Sequence, residues 1–476
     1  MILASKAFFL FLLIAVIGYH LLRGRTAKYA FLLVASYTFY ALCSPWYLWV
    51  LLLLTVTDFF AAKMIEDASD ERARKRWLIL SIVSNLGLLA AFKYTGFAYD
   101  TGLSLGQWFG YEAAPRAWDI LLPLGISFHT FQGISYTVDV YRRQIRAVRS
   151  LLDYSLFVAF FPQMAAGPIV RAIEFLPQLV QPPRVTSAQI GDGLHLVARG
   201  LFKKLVVADT LDSLFVSLVF DDPVSYTPGA IRWAVVAWAV QVYCDFSGYT
   251  DIAIGTAKWF GFELPANFHL PYLATSITDF WRRWHLSLST WLRDYLYFPL
   301  GGSKGSAART YFNLMAIFVL CGLWHGATWA WMVYGVYNGV LMSLHRIYDR
   351  TVSGVSRFDN WRKSTAWAVV SWAFTFLQLL LGLILIRMTN WQSGGTIVQS
   401  LFDFGPVSLL RKETPPLVPL LILLGLFGHI AAIVRSRVNV RVPNVEWPQV
   451  TATVLAIAGV VAFSPGVGKT FLYIQF

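Results

Sequence analysis

Apolar runs long enough to cross a bilayer recur along this chain from about residue 7 to about residue 465. A helix needs roughly 20 predominantly apolar residues to span the hydrocarbon core. A chain that meets this length again and again has few folds open to it. Composition agrees: 57% of residues are hydrophobic and only 14% are charged, against roughly 25% charged in soluble domains. The expectation is an all-α, polytopic integral membrane protein of about 11–13 membrane helices. It reads as one membrane domain over 1–476, with regular N-terminal spans to about 150, a core over 151–350 and C-terminal spans over 351–476.

The first run begins almost at Met1, with Lys6 alone before it, and no small-residue cleavage pattern ends it. It reads as a retained span. Spans follow at about 29–43, 47–62, 77–95 and 120–139, with a loop over 96–119. The net charge of +13 invites a nucleic-acid reading, but the basic residues fall in short loops between apolar spans. Arg23, Arg25 and Lys28 form one group, Lys63, Arg72, Arg74, Lys75 and Arg76 a second, and Arg142, Arg143, Arg146 and Arg149 a third. The intervening loops are poor in basic residues. The positive-inside rule then makes the three basic loops cytoplasmic and faces the N-terminus outward. Nucleic acid is not an expected partner; the lipid bilayer is.

Beyond residue 150 the pattern loses its regularity. Segments near 151–172, 196–219 and 229–258 are apolar but interrupted by Gly167-Pro168, by Lys203-Lys204, and by Asp245 and Asp251. Broken or re-entrant helices are tolerated at membrane depth only where protein or water covers the freed backbone groups. Clearer spans return near 310–323, 326–347, 366–387, 415–434 and 449–465. Cys43, Cys244 and Cys321 have no CxxC spacing, so neither a disulfide framework nor a metal site is expected.

The chemistry concentrates in residues 279–302, DFWRRWHLSLSTWLRDYLYFPLGG. Arg282, Arg283, His285, Arg293 and Asp294 would each cost roughly 2.5–3.5 kcal/mol or more at the bilayer centre. The stretch must therefore face protein, water or the interface. As a helix it sets Phe280, Trp284, Leu288, Trp291 and Tyr295 on one apolar face, with Arg282 and Ser289 one turn either side of His285. A second histidine, His325, follows Trp324 and precedes Gly326-Ala327, small neighbours that allow close approach to the imidazole. Histidine is the usual general base near neutral pH, and a buried histidine bonded to a neighbouring helix would look the same in sequence. The neighbouring Arg282 and Arg283 disfavour a charged His285, which suits a catalytic and a structural imidazole alike. Arg282, Arg283 and Arg293 can pair with Asp279 and Asp294, or one of them can meet an anionic group such as a cofactor phosphate. Asp245 and Asp251 are functional candidates as intramembrane carboxylates, or partners for basic side chains. His20, His129, His345 and His429 read as structural. The chain has no Walker loop, dinucleotide fingerprint or HExxH.

Several of these stretches, taken in chain order, resemble the membrane-bound O-acyltransferase family, and most closely its bacterial branch containing the alginate O-acetyltransferase membrane subunit and the D-alanyl transfer protein of teichoic acid modification. They are PLGISFHTFQ at 123–132, FPQMAAGPIVR at 161–171, DFSGYTD at 245–251, NFHLPY at 267–272, the 279–302 block, LWHGA at 323–327 and the ending FLYIQF at 471–476. His129 departs from the aromatic residue expected in relatives. The resemblance implies that His325 is the catalytic histidine, that His285 is the second active-site position, and that both lie buried mid-membrane. It implies an inner-membrane O-acetyltransferase serving an alginate- or cellulose-type exopolysaccharide. Acetyl-CoA is the implied donor, with no bound cofactor, and an acyl-carrier thioester is the rival donor, as in D-alanyl transfer. A periplasmic acetyl-transfer partner protein is implied between this chain and the polysaccharide. Arg282, Arg283, Trp324, Ser289 and Asp245 are the candidate substrate-binding residues. An acyl conduit or transporter, with the histidines lining a path and no bond made, is the alternative from another class; intramembrane aspartates and broken helices suit it equally.

Overall fold

The computed structural model describes residues 5–111, 114, 116, 118, 120–164, 167–352, 361–405, 412–438 and 447–463. The expected motif residues 165–166, the end of the last span at 464–465 and the ending at 471–476 lie outside them. Among the described residues the regular elements are helices, with one isolated bridge between Tyr226 and Lys412. Among the described residues four helices are long and apolar enough to cross a membrane, Pro45–Asp67, Glu71–Lys93, Ala307–His325 and Thr365–Arg387; the bent pair Leu417–Gly425 and Phe427–Ser436 makes a fifth if counted as one span. The other expected spans are helical but shorter, more polar or interrupted. The chain divides into two compact units, Met1–Gly193 with Ala253–Pro265, and Leu194–Ile252 with Ala266–Phe476.

In the first unit the regular spans appear as Lys6–Leu21, Arg25–Cys43, Leu48–Asp67, Glu71–Lys93 and Ile126–Tyr141. The last packs against the two before it. It begins at Ile126, later than the apolar run suggests, because Gly125 in a left-handed conformation (φ 69°) turns the chain into it. Almost every residue of this helix is buried, polar ones included. Its Gly133 lies against Asp58, where a Cβ would collide with the carboxylate. That carboxylate accepts hydrogen bonds from Ser81 Oγ at 2.6 Å and Asn85 Nδ2 at 2.9 and 3.0 Å.

The three basic loops meet at one end of this unit. Arg25 bonds Asp153 at 2.5 Å, Arg149 bonds Glu66 at 3.0 Å and Asp67 at 2.9 Å, and Arg74 donates to the Tyr141 carbonyl at 2.6 Å. The basic-poor connections gather as well: Leu124 N–H donates to Ser44 Oγ at 3.3 Å, and Tyr47 packs edge-on against Phe92 at 5.4 Å. The alternation read from charge is thus an alternation in space. Where the sequence suggested a loop over 96–119, Thr95–Trp108 is a helix. It is 14 residues long and carries three glycines and Asp100, which is why its pattern does not stand out as a span.

The second unit departs from simple up-and-down helices. After Ser187–Leu201 the chain widens into π-helical turns over Phe202–Ala208 and Asp212–Val216. Such turns add a residue and redirect side chains. Here they carry Lys204 to Asp245 at 2.6 Å and Asp209 at 2.8 Å, and Lys203 to Asp251 at 2.8 Å. Arg199 also bonds Asp251, at 2.7 and 2.9 Å. The helices Ala307–His325 and Trp329–Val352 form a hairpin closed on small residues. A Cβ on Gly335 would come within 2.5 Å of the Phe318 carbonyl, and one on Gly339 within 2.8 Å of Met315 Sδ.

Candidate active site

The stretch over 279–302 is not one helix. Ile277–Trp281 forms little more than a turn, capped where Asp279 N–H donates to Ser276 Oγ at 3.1 Å. The chain turns through 282–284, and helix resumes at Leu286–Leu292 before a π-helical turn over Arg293–Tyr297. The single apolar face expected for Phe280 through Tyr295 is therefore broken at its centre. No glycine or proline marks the break. The backbone on both sides of His285 bonds instead to residues 267–269: His269 N–H donates to the Arg283 carbonyl at 2.9 Å, and Leu286 N–H to the Asn267 carbonyl at 3.0 Å. Phe280, Trp284, Leu288 and Trp291 are buried all the same.

His285 stands at the break with φ 46° and ψ 54°. Left-handed backbone costs a non-glycine residue about 1–2 kcal/mol, so the fold must hold this geometry in place. The side chain is fully buried and its ring meets Phe246 edge-on with centroids 4.7 Å apart. His325 is the last residue of Ala307–His325 and is 9% exposed. Trp324 presents its edge at 4.7 Å, and Trp331, from the start of the next helix, stacks on the imidazole at 5.1 Å and 24°. A Cβ on Gly326 would fall inside the Trp331 indole. The small residue after His325 thus makes room for the aromatic wall.

The two histidine rings lie with centroids 6.3 Å apart and Trp324 6.4 Å from His285. Two hydrogen bonds of roughly 2.6–3.2 Å each would span a separation of this order. Trp324, Trp331 and Phe246 supply an apolar surround that raises the strength of any polar contact made there. The arrangement suits withdrawal of a proton from a hydroxyl in a dry site.

The other candidates divide by setting. Trp324 is part of the histidine site. Ser289 is one turn from His285, but its hydroxyl donates to the Trp284 carbonyl at 3.3 Å. Arg283 bonds Asp279 at 2.9 Å and Arg293 bonds Asp294 at 2.6 Å, the pairings expected from sequence. Arg282 is exposed, and no ion pair or hydrogen bond joins its guanidinium to another described residue. It lines a cavity of about 690 Å³ with Thr275, Thr278, His345, Arg362 and Phe374. Asp245 is buried in its bond to Lys204, not to an arginine of the 279–302 stretch, and precedes the Phe246 that packs on His285. Asp251 likewise belongs to Arg199 and Lys203. Among the described residues no group of three or more His, Cys, Asp and Glu is placed to hold a metal ion.

Phe246, Trp331 and Asn267 were not singled out from sequence as site residues. For Trp331 a signal was present: aromatic Trp329 and Trp331 follow the small residues after His325. For Phe246 and Asn267 the relation is tertiary, and only their places in quoted motifs hinted at it.

The model of the membrane-bound O-acyltransferase family matches residues 32–386. Among curated proteins, the chain is 37% identical over 407 residues to a probable alginate O-acetylase of Pseudomonas aeruginosa, covering 85% of this chain and 75% of the relative. It is 34% identical to a peptidoglycan O-acetyltransferase of Helicobacter pylori, covering 85% and 80%. A teichoic acid D-alanyltransferase of Bacillus subtilis is more distant, 26% identical over 52% of this chain and 64% of the relative. The matched region takes in both histidines, their aromatic walls and the broken helix between them, and the chain belongs to the membrane-bound O-acyltransferase family.

Proposed function

We propose that this multi-pass membrane acyltransferase is an O-acetyltransferase of the bacterial inner membrane that serves a secreted, alginate-type polysaccharide. The observation that carries the reading is the His285–His325 pair, its ring centroids 6.3 Å apart between Trp324, Trp331 and Phe246. The names of the relatives at 34–37% identity support acetyl transfer to a cell-envelope polymer. Acetyl-CoA is the donor, arriving from the cytoplasm. The acceptor hydroxyl belongs to a periplasmic acetyl-transfer partner, which passes the group to the polymer. The N-terminus lies on the periplasmic side, in keeping with the three basic loops that meet at one end of the first unit.

His325 takes the proton from the acceptor hydroxyl. The oxygen attacks the thioester carbonyl, the new C–O ester bond forms, and the C–S bond breaks. The departing thiolate takes the proton from the imidazolium and leaves as a thiol. His285 orients the hydroxyl or stabilises the charge that develops on the carbonyl oxygen. Trp324 and Trp331 keep water out. Arg282, without an ion-pair partner among the described residues, and Arg283 beside it take anionic groups of the donor. Ser289 and Asp245 shape the surroundings of His285.

The experiment is polymer acetylation in cells carrying His325→Ala or His285→Ala, with protein level checked in the membrane. Loss of acetyl ester at normal protein level supports the reading; near-normal acetylation with His325→Ala overturns it in favour of a conduit. Purified protein given radiolabelled acetyl-CoA or an acetylated carrier protein then identifies the donor, and label entering only from the carrier would replace acetyl-CoA in the scheme.

A further inference from the structure

Resting on the acyl-transfer reading, we infer that Asn267 is a positioning residue for His285, clamping the left-handed turn that aims the imidazole toward His325. His285 is one of three non-glycine residues with positive φ among those described, and it sits where two short helices fail to join. Four hydrogen bonds join this turn to one short segment, and a fifth ties that segment to Thr250. On the N-terminal side, His269 N–H donates to the Arg283 carbonyl at 2.9 Å. On the C-terminal side, Leu286 N–H donates to the Asn267 carbonyl at 3.0 Å. The Asn267 side chain adds the rest. Its Oδ1 accepts from Ser287 N–H at 3.3 Å and from Ser287 Oγ at 2.6 Å, and its Nδ2 donates to Thr250 Oγ1 at 3.3 Å.

A helix start leaves its first N–H groups without intrahelical partners, and the preceding residue's side chain normally takes one. His285 occupies that place and makes no such cap. Asn267, eighteen residues upstream and 1% exposed, supplies the cap from outside the helix. The cap thus comes from Asn267 and not from the His285 imidazole, which packs against Phe246. Between the two bonded residues, Phe268 packs edge-on against Phe246 and Trp284, both at 5.0 Å. The same segment thus fixes the His285 backbone and the Phe246 ring that borders its side chain. Thr250, the far anchor, lies one helical turn beyond Phe246 on the same helix. The clamp therefore ties the turn to the helix that carries the pocket wall.

The test uses the full-length protein in detergent. Asn267→Ala should lower kcat by about 10²-fold, the order of loss that a 1 Å misplacement brings, with donor KM little changed. Asn267→Asp keeps the acceptor for Ser287 and should restore activity to within about tenfold of the parent. Placed in a His285→Ala background, Asn267→Ala should add less than about threefold, because its effect passes through His285. Losses that multiply would overturn the inference, as would a fully active Asn267→Ala protein. A second readout does not depend on transfer: carbethoxylation by diethyl pyrocarbonate, followed by mass spectrometry. Asn267→Ala should speed modification of His285 at least tenfold and leave His129, a buried histidine of the other unit, unchanged. An equal rise at both would mean general loosening and would overturn the positioning role. If the parent protein transfers no acetyl group, the acyl-transfer reading fails, and the His285-to-His129 ratio still decides whether Asn267 clamps the turn.

Discussion

Two buried polar centres in this molecule are built in opposite ways. In the first unit, Asp58 lies inside a helix and faces Ser81 and Asn85 from inside another, with Gly133 of a third helix pressed against it. The helices are continuous and the carboxyl oxygens are both bonded. In the second unit, His285 and His325 stand at helix ends, one in left-handed backbone and one at a C-terminus, and aromatic rings surround them. A polar group in the middle of packed helices can be matched once and left alone. The proposed catalytic pair sits instead where helices stop and aromatic rings border the imidazoles. Burial alone does not separate the two kinds, since Asp58 is 2% exposed and His285 fully buried. The local backbone does.

The largest effect should fall on the histidine centre. His325→Ala is expected to reduce acetyl transfer by about 10²–10⁴-fold, the usual contribution of a general base, with protein accumulating normally. His285→Ala should fall toward the lower part of that range. Both are read as acetyl ester per polymer against membrane protein level. A drop in protein level that matched the drop in ester would erase the contrast with Asp58.

The converse holds in the first unit. Asp58→Ala leaves Ser81 and Asn85 without their acceptor and opens a small void, at a cost of roughly 2–4 kcal/mol. Gly133→Ala pushes a methyl group into the same carboxylate and costs roughly 1–3 kcal/mol. Each should lower the thermal midpoint in detergent while activity per folded molecule stays near that of the parent. Loss of specific activity without loss of stability would mean that the Asp58 centre takes part in the reaction.

These contrasts also show what a sequence can and cannot display. The spans were legible because apolar length and basic loops are one-dimensional signals, and the meeting of Arg25, Arg74 and Arg149 at one end of the first unit follows from them. The histidines were legible because a polar ring beside tryptophan is conspicuous in apolar sequence. The break at His285 was not. Residues 279–295 have good helical spacing and no glycine or proline, so local preference favours continuation; hydrogen bonds from 267–269 override it. Asp245 was visible as an intramembrane carboxylate, but its partner Lys204 lies 41 residues away and reaches it through a π-helical turn that leaves no mark in composition. Ile126–Tyr141, read as a span from about 120, is a helix, but its degree of burial was not legible. It is buried in protein on nearly all sides, so its many polar residues need not signal a solvent-facing stripe.

The smallest expected effect bears on how the acyl group moves. Cys321 lies one helical turn before His325 and is 5% exposed, the closest thiol in sequence to the proposed base. A covalent route would need that sulfur to attack the thioester and hold the acetyl group before the acceptor arrives. Its helix has a different use for the position: the next residue, Gly322, packs against Gly335 and the Trp331 carbonyl, so this turn is fixed by contact with the following helix. Cys321→Ala removes one sulfur from a small, packed site and should change transfer by less than about threefold. The proposed direct attack requires that outcome. If the variant instead lost activity as fully as His325→Ala, and an acetylated Cys321 could be trapped in the parent protein, transfer would proceed in two steps. His325 would then activate a thiol first and a hydroxyl second, and the His285–His325 pair would meet the acceptor hydroxyl only in the second step.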